Sequence, residues 1–189
     1  FHAVALDTLK TPPEETIADW KRRAAESVAA SGIKPELLVE HPAIKEWRNA
    51  FSKFGLKPSK FRSSIEQLYK RALKGDLLET RLPLVNLYCY LSVLHLIPAG
   101  GYDLDKIEGD AITVRPAIEG EQFRAIGERD ALPCQPGAVC YADAGGVICY
   151  GWNWRDAART CLDERTTRAI FFADSAADAS RRRAERAIS

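Results

Sequence analysis

The 189-residue chain is poor in the features that most often announce a chemistry. Its five cysteines, Cys89, Cys134, Cys140, Cys149 and Cys161, are odd in number and follow no CxxC spacing, and its three histidines, His2, His41 and His95, lie outside the cysteine-rich half. Neither a disulfide framework nor a zinc site finds a paired ligand pattern, so reduced thiols, no metal and no cofactor are expected. There is no GxxxxGK[ST], no GxGxxG after a strand, no HExxH and no GxSxG, which sets aside ATP-driven, dinucleotide-dependent and zinc-hydrolytic chemistry. With no histidine among the later motifs, a Ser-His-Asp or Cys-His triad lacks its base. The longest apolar run, 87–99, is broken by Ser92 and His95 and is too short to span a bilayer. No charged-then-apolar leader opens the chain, and Phe1 is not an initiator, so residues before it and a cytoplasmic location without a membrane partner are expected. The net charge is only +1, so the molecule as a whole is not a polycation.

What is present is ordinary in amount and uneven in placement. Hydrophobic residues make up 46% and charged residues 28%, a globular balance, and the length suits one domain. Residues 45–75 hold nine Lys or Arg against Glu46 and Glu66, whereas 102–130 hold eight acids against four bases. Clustered cations reward contact with nucleic-acid phosphates, and Lys57, Lys60, Arg62 and Arg71 are the candidates for it. The plainer alternative is a solvated helix face.

The first half reads as helices. Thr11-Pro12-Pro13 before Glu14 and Glu15 is a helix start, Ile17, Trp20, Ala24 and Val28 recur at helical spacing, and Gly32 stops the run. A second segment carries Ile44, Trp47, Phe51 and Phe54. A third begins near Pro58, buries Phe61, Ile65, Leu68, Ala72 and Leu73, and ends at Gly75. Residues 84–96 are apolar nearly all round, as in a buried helix. Beyond Pro98-Ala99-Gly100-Gly101, read as a tight turn, come short β-rich runs at 112–115, 122–126, 138–142, 147–150 and 169–173. Gly145-Gly146 marks a hairpin, and the polar tail 175–189 reads as a closing helix. The expected class is α+β: a helical N-terminal half followed by an antiparallel, β-sandwich-like region, with residues 1–45 a helical extension of one domain spanning 1–189.

Three places carry more chemistry than a loop needs. Trp152-Asn153-Trp154-Arg155-Asp156 follows a strand directly and combines flat walls, an amide that reads donors and acceptors, and a guanidinium that pairs carboxylate or phosphate. A Trp-anchored loop with an internal Arg–Asp bridge is the structural alternative. Gly100-Gly101 would let backbone approach a ligand beside the polar tips of Tyr102 and Asp103. Arg62 and Glu66, four apart, share a helix face near Arg71 and pair or bind.

In their order and spacing these motifs resemble the B3/B4 domain, the tRNA-binding and editing module of the phenylalanyl-tRNA synthetase beta subunit, and more closely its freestanding single-domain relatives. The resemblance runs over 47–172 and rests on Phe54-Gly55-Leu56, Pro98-Ala99-Gly100-Gly101-Tyr102-Asp103-Leu104-Asp105, Gly120-Glu121, Tyr141-Ala142-Asp143 and the 152–156 cluster. It implies an α+β fold with an unusual β-sandwich, and a pocket that in the family hydrolyses a wrongly attached amino acid. The family's pocket Thr and Asn fall at Tyr88 and Cys89, its histidine at Gly100 and its glycine-rich loop at 152–156. Its strand glutamate falls at Phe172, with Asp174 two residues on and facing the same side. Those departures imply an amino acid other than tyrosine. The resemblance assigns substrate binding to Tyr88, Cys89, Gly100, Gly101, Trp152, Asn153, Arg155 and Asp174.

Two functions are therefore expected in competition. One is a deacylase that hydrolyses mischarged aminoacyl-tRNA by positioning water, with Asn153, Asp143 and Asp156 as catalytic candidates. The other is a non-catalytic module binding tRNA or an amino-acid-like small molecule. In both, tRNA or aminoacyl-tRNA is the nucleic-acid partner, DNA is not, and aminoacylation machinery is absent.

Overall fold

A computed structural model describes residues 2–6 and 10–188. Helix α1 (Glu14–Ala30) opens after Pro13 with Glu14 and Glu15 on its positive end, and the chain leaves it through Gly32 at φ +63°. Helix α2 (Pro42–Lys53) is capped by His41, whose Nδ1 accepts from Ala43 N at 3.3 Å. Helix α3 (Ser64–Ala72) begins six residues beyond the Pro58 expected from sequence. Phe61 N instead bonds Lys57 O in a local turn, and Ser63 Oγ accepts from Glu66 N at 3.4 Å. Helix α4 (Pro83–His95) is the buried one and stops at Leu96, which turns left-handed at φ 53°.

Every strand pairing is antiparallel among the described residues, and the class is α+β as the patterning implies. One sheet orders β1 (His2–Leu6), β9 (Ala169–Ala173) and β2 (Ala99–Asp103), with β9 central. A second orders β3 (Thr113–Pro116), β6 (Val139–Asp143), β7 (Gly146–Tyr150) and β8 (Arg155–Asp156), and β4 (Gln122–Phe123) pairs β5 (Leu132–Pro133) in a short ribbon. The hairpin expected at Gly145-Gly146 joins β6 to β7.

Two segments differ from the sequence reading. Residues 2–6 form a strand, so the N-terminal 45 residues are not wholly helical, and 99–103 form β2 rather than a bare turn. The reason is shared. Both edges of β9 would otherwise leave backbone N–H and C=O groups unpaired, and β1 and β2 satisfy them. The closing helix α5 (Asp178–Ile188) is pinned by Ser180, whose hydroxyl donates to the Glu46 carboxylate, and by Arg183 at 3.5 Å from the same group. Ser189, part of that expected helix, lies outside the described residues.

The layers follow from strand alternation. On one face of the first sheet Phe171 meets Tyr88 of α4, with ring centroids 6.2 Å apart. On the other, Tyr102 and Phe172 pack against Tyr141, Ile148 and Cys149 of the second sheet. The larger core joins Trp47, Phe51, Ile65, Tyr69 and Tyr90 of the helices to Ala142 and Tyr150 of the second sheet. No helix among the described residues is long and apolar enough to cross a membrane.

Candidate functional site

Strand β7 ends at Tyr150, and the chain reverses through Gly151 at φ +66° and Trp152 at φ +61°. Glycine accepts the left-handed region freely; tryptophan enters it only when the surroundings insist. They do. Trp152 N donates to Val139 O at 2.7 Å, and Asn153 N and Trp154 N donate to Gly151 O at 2.7 and 3.2 Å. The Trp152 indole stands edge-on to Trp47 at 5.1 Å, and Trp154 to Phe61 at 4.7 Å. Asn153 O accepts from Ser64 N at 3.0 Å, which ties the loop to the first residue of α3.

This loop closes a cavity of about 50 Å³ where the two sheets face each other. Gly100 and Tyr102 come from β2, Tyr141 from β6, Cys149 from β7, Asp156 from β8, and Asp174 from just beyond β9, with Ser64, Trp152, Asn153 and Trp154 around the rim. The two acids are held alike. Tyr141 Oη donates to Asp174 Oδ1 at 2.5 Å and Asn153 Nδ2 to Asp174 Oδ2 at 3.1 Å. Tyr102 Oη donates to Asp156 Oδ1 at 2.9 Å, with the Cys149 thiol beside it.

Desolvation dominates the electrostatics. Asp174 is only 4% exposed, and burial pushes its carboxyl up to about 6 despite the Tyr141 and Asn153 donors, with the Asp156 charge adding to the rise. Burial likewise raises Asp156 above the ordinary carboxylate range. It also raises Tyr102, Tyr141 and Cys149, which stay protonated at neutral pH. Three buried polar atoms around the cavity have no hydrogen-bond partner: Asn153 Oδ1, Ser64 Oγ and the Trp152 Nε1 donor.

The residues singled out from sequence fall into distinct places. Gly100, Trp152, Asn153, Asp156 and Asp174 line the cavity. Gly101 does not: strand alternation turns it to the α4 side, where an added Cβ would lie 2.8 Å from the Phe171 ring. Tyr88 lines a separate apolar cavity of about 190 Å³ between α4 and the first sheet, with Phe171 and Leu91. Cys89 is buried, its thiol pushed up to about 12 by desolvation, and it lines neither cavity. Arg155 points outward, bonding Glu128 at 2.5 Å and lying over the Trp154 ring at 5.2 Å, so its partner is neither Asp156 nor another buried acid. Asp143 faces Arg159 and accepts from the backbone N–H groups of Glu108 and Gly145. Burial opposes its ionisation, and these donors overcome that and hold its carboxyl below the usual range. Asp103, beside Tyr102, turns away and accepts from Thr166 Oγ1 at 2.7 Å.

The cationic candidates sit on the approach to α3. Lys57 and Lys60 are exposed on the connection from α2, Lys60 lying 5.4 Å from the Phe61 ring centroid. Arg62 stands 3.7 Å from Glu66, a buried acid that also takes Arg48 at 2.8 Å. Arg71 is engaged by both oxygens of Asp76, at 2.8 and 3.0 Å. Cys149 and Ser64 were not singled out from sequence, and Tyr141 only as part of a motif. The pairing of Tyr141 with Cys149 across β6 and β7 places both at the cavity, and no local pattern encodes it.

Fold and site together define a two-sheet α+β domain whose enclosed polar cavity lies between the sheets. A family model described as the B3/4 domain matches residues 46–189, and the chain belongs to that family. No curated protein matches the chain. Among solved structures it is similar to an N-terminal fragment of the phenylalanyl-tRNA synthetase beta-subunit from Pyrococcus horikoshii. The identity there is 14% and the TM-score 0.41, with 49% of this chain and 35% of that one covered. The match thus spans about a third of that fragment's length.

Proposed function

We propose that the protein interacts with aminoacyl-tRNA in the cytoplasm, that the cavity between its sheets receives the aminoacyl end, and that it hydrolyses the ester of a mischarged tRNA. Membership of the B3/4 family supports the general reading. The observation that carries the particular one is the enclosed meeting of Gly100, Asn153, Asp156 and Asp174, with two carboxyls raised by burial. An ester is already activated, so the site has only to orient water and accept its proton. A carboxyl titrating at about 6 is well matched to that task near neutral pH. Lys57 and Lys60, exposed near the start of α3, would meet tRNA phosphates and bring the acceptor end toward Ser64. The five unpaired cysteines suit a reducing compartment.

One observation favours the second reading, a binding module without turnover. Tyr102, Tyr141 and Cys149 are all held protonated by burial, so neither phenol nor thiol serves as a charged nucleophile. A panel of mischarged tRNAs decides between them. Ester loss that disappears in Asp174→Asn supports the deacylase; saturable binding with the ester intact supports the module; neither overturns the proposal.

A further inference from the structure

The cavity is unusual in what it fails to contain. Asp156 and Asp174 both line it, yet among the described residues no lysine, arginine or histidine does. The hydrogen bonds they receive come from neutral donors: two phenols, an amide and the Cys149 thiol. A buried carboxylate with no side-chain cation beside it is costly, and two facing one cavity are eased by protonation or by added positive charge. Three groups at the cavity remain unfilled, one of them a donor, Trp152 Nε1. Asn153 Oδ1 can only accept, its Nδ2 being committed to Asp174, and Ser64 Oγ still offers lone pairs. Both oxygens are buried, so bulk water does not satisfy them. The indoles of Trp152 and Trp154 also stand around this space.

We propose that the cavity is a receptor for a primary ammonium group, and that in the function argued above it takes the free α-amine of the aminoacyl moiety rather than its side chain. The naming of the α-amine rests on that function; the ammonium site itself does not. An ammonium brings three N–H donors and one positive charge to a place that offers two acids, the unfilled Asn153 Oδ1 and the Ser64 hydroxyl oxygen. Size agrees: about 50 Å³ admits an amine and little beyond its α-carbon, leaving the side chain outside. Selectivity would then lie in whether the amine is free. A formylated or acetylated aminoacyl group loses both the charge and two of the three donors.

The test uses the whole chain and two small probes, L-alaninamide and N-acetyl-L-alaninamide, titrated at pH 7.5 and followed by Trp fluorescence and calorimetry. L-Alaninamide is expected to bind saturably and its acetylated form at least tenfold more weakly. Binding is expected to fall at least tenfold in Asp156→Asn and in Asp174→Asn, variants first shown by circular dichroism to be folded. Equal affinity for the two probes, no binding of either, or binding unchanged in both folded variants would overturn the ammonium site and leave a water-filled cavity. The same comparison with aminoacyl-tRNA and N-acetyl-aminoacyl-tRNA separates the two claims. If both tRNAs are bound or hydrolysed alike, the tRNA function stands and the assignment of the cavity to the α-amine falls. If alaninamide binds and neither tRNA does, the ammonium site stands without the tRNA function.

Discussion

Tyr141 and Asp174 lie 33 positions apart in the chain and meet through a 2.5 Å hydrogen bond from phenol to carboxylate, out of reach of solvent. Tyr141 comes from the second sheet, and Asp174 from just beyond the first, where its own N–H bonds Pro98 O at 2.9 Å. The contact therefore clasps the two sheets at the cavity and fixes an acid whose titration burial moves up to about 6.

That displacement has a direction for stability. Folded Asp174 titrates at about 6, above the ordinary carboxylate value, so between these limits the folded state holds the proton more tightly than the unfolded one. Stability from this group is full below the ordinary value and is lost as the pH rises through about 6, by up to about 1.4 kcal/mol for each unit of displacement. Thermal melts of wild type and Asp174→Asn from pH 4 to 7.5 check it. The wild-type melting temperature should drop relative to the variant as the pH rises, and parallel curves would contradict the assignment.

Gly100 and Gly101 are adjacent yet should respond oppositely to alanine. A Cβ on Gly100 meets nothing within 4 Å, whereas one on Gly101 strikes the Phe171 ring at 2.8 Å. Gly100→Ala should change stability by less than about 0.5 kcal/mol and crowd the cavity, lowering ligand affinity. Gly101→Ala should destabilise by about 1–3 kcal/mol through overpacking. Urea unfolding of both variants measures the contrast.

Gly151→Ala should be costly for two reasons. Its φ of +66° disfavours a Cβ, and that Cβ would stand 3.0 Å from Trp154 Cβ and 3.2 Å from Leu56 Cδ1. A loss of about 1–3 kcal/mol in chemical denaturation is expected, with weakened ligand binding as the loop shifts Asn153.

Arg155→Ala should be nearly silent. The guanidinium is 42% exposed and its Glu128 partner 43%, and exposed pairs of this kind contribute about 0–1 kcal/mol. A melting temperature within a few degrees of wild type and unchanged affinity for alaninamide would agree. Abolished binding would place Arg155 on the ligand.

Reversing Lys57 and Lys60 to Glu should weaken binding to any tRNA alike and reduce the salt dependence of the affinity, since neither lysine is tied to an internal acid. Arg71→Glu should weaken tRNA binding less, because Asp76 already engages its Nε and Nη2. Filter binding across a salt series distinguishes these outcomes.

The sequence by itself determined the elements whose signals are local. Pro13 with its following acids, the 3.6-residue spacing of Ile44, Trp47 and Phe51, and the alternation around Val147 and Cys149 each depend on neighbours a few residues away. The helices, the β6–β7 hairpin and the α+β class followed from them, and the motif order carried the family. Only tertiary structure decided what depends on pairing across the chain. β1 and β2 exist because β9 presents two edges to satisfy. Gly100 and Gly101 part ways because one side of that sheet faces α4 and the other the second sheet. Arg155 and Asp156, neighbours in sequence, end on opposite sides of β8 for the same reason: successive side chains of a strand point oppositely, so one residue reaches solvent while the next enters the cavity beside Tyr102. Composition cannot show that two acids lose their water, because burial belongs to the assembled sheets and not to any stretch of the chain.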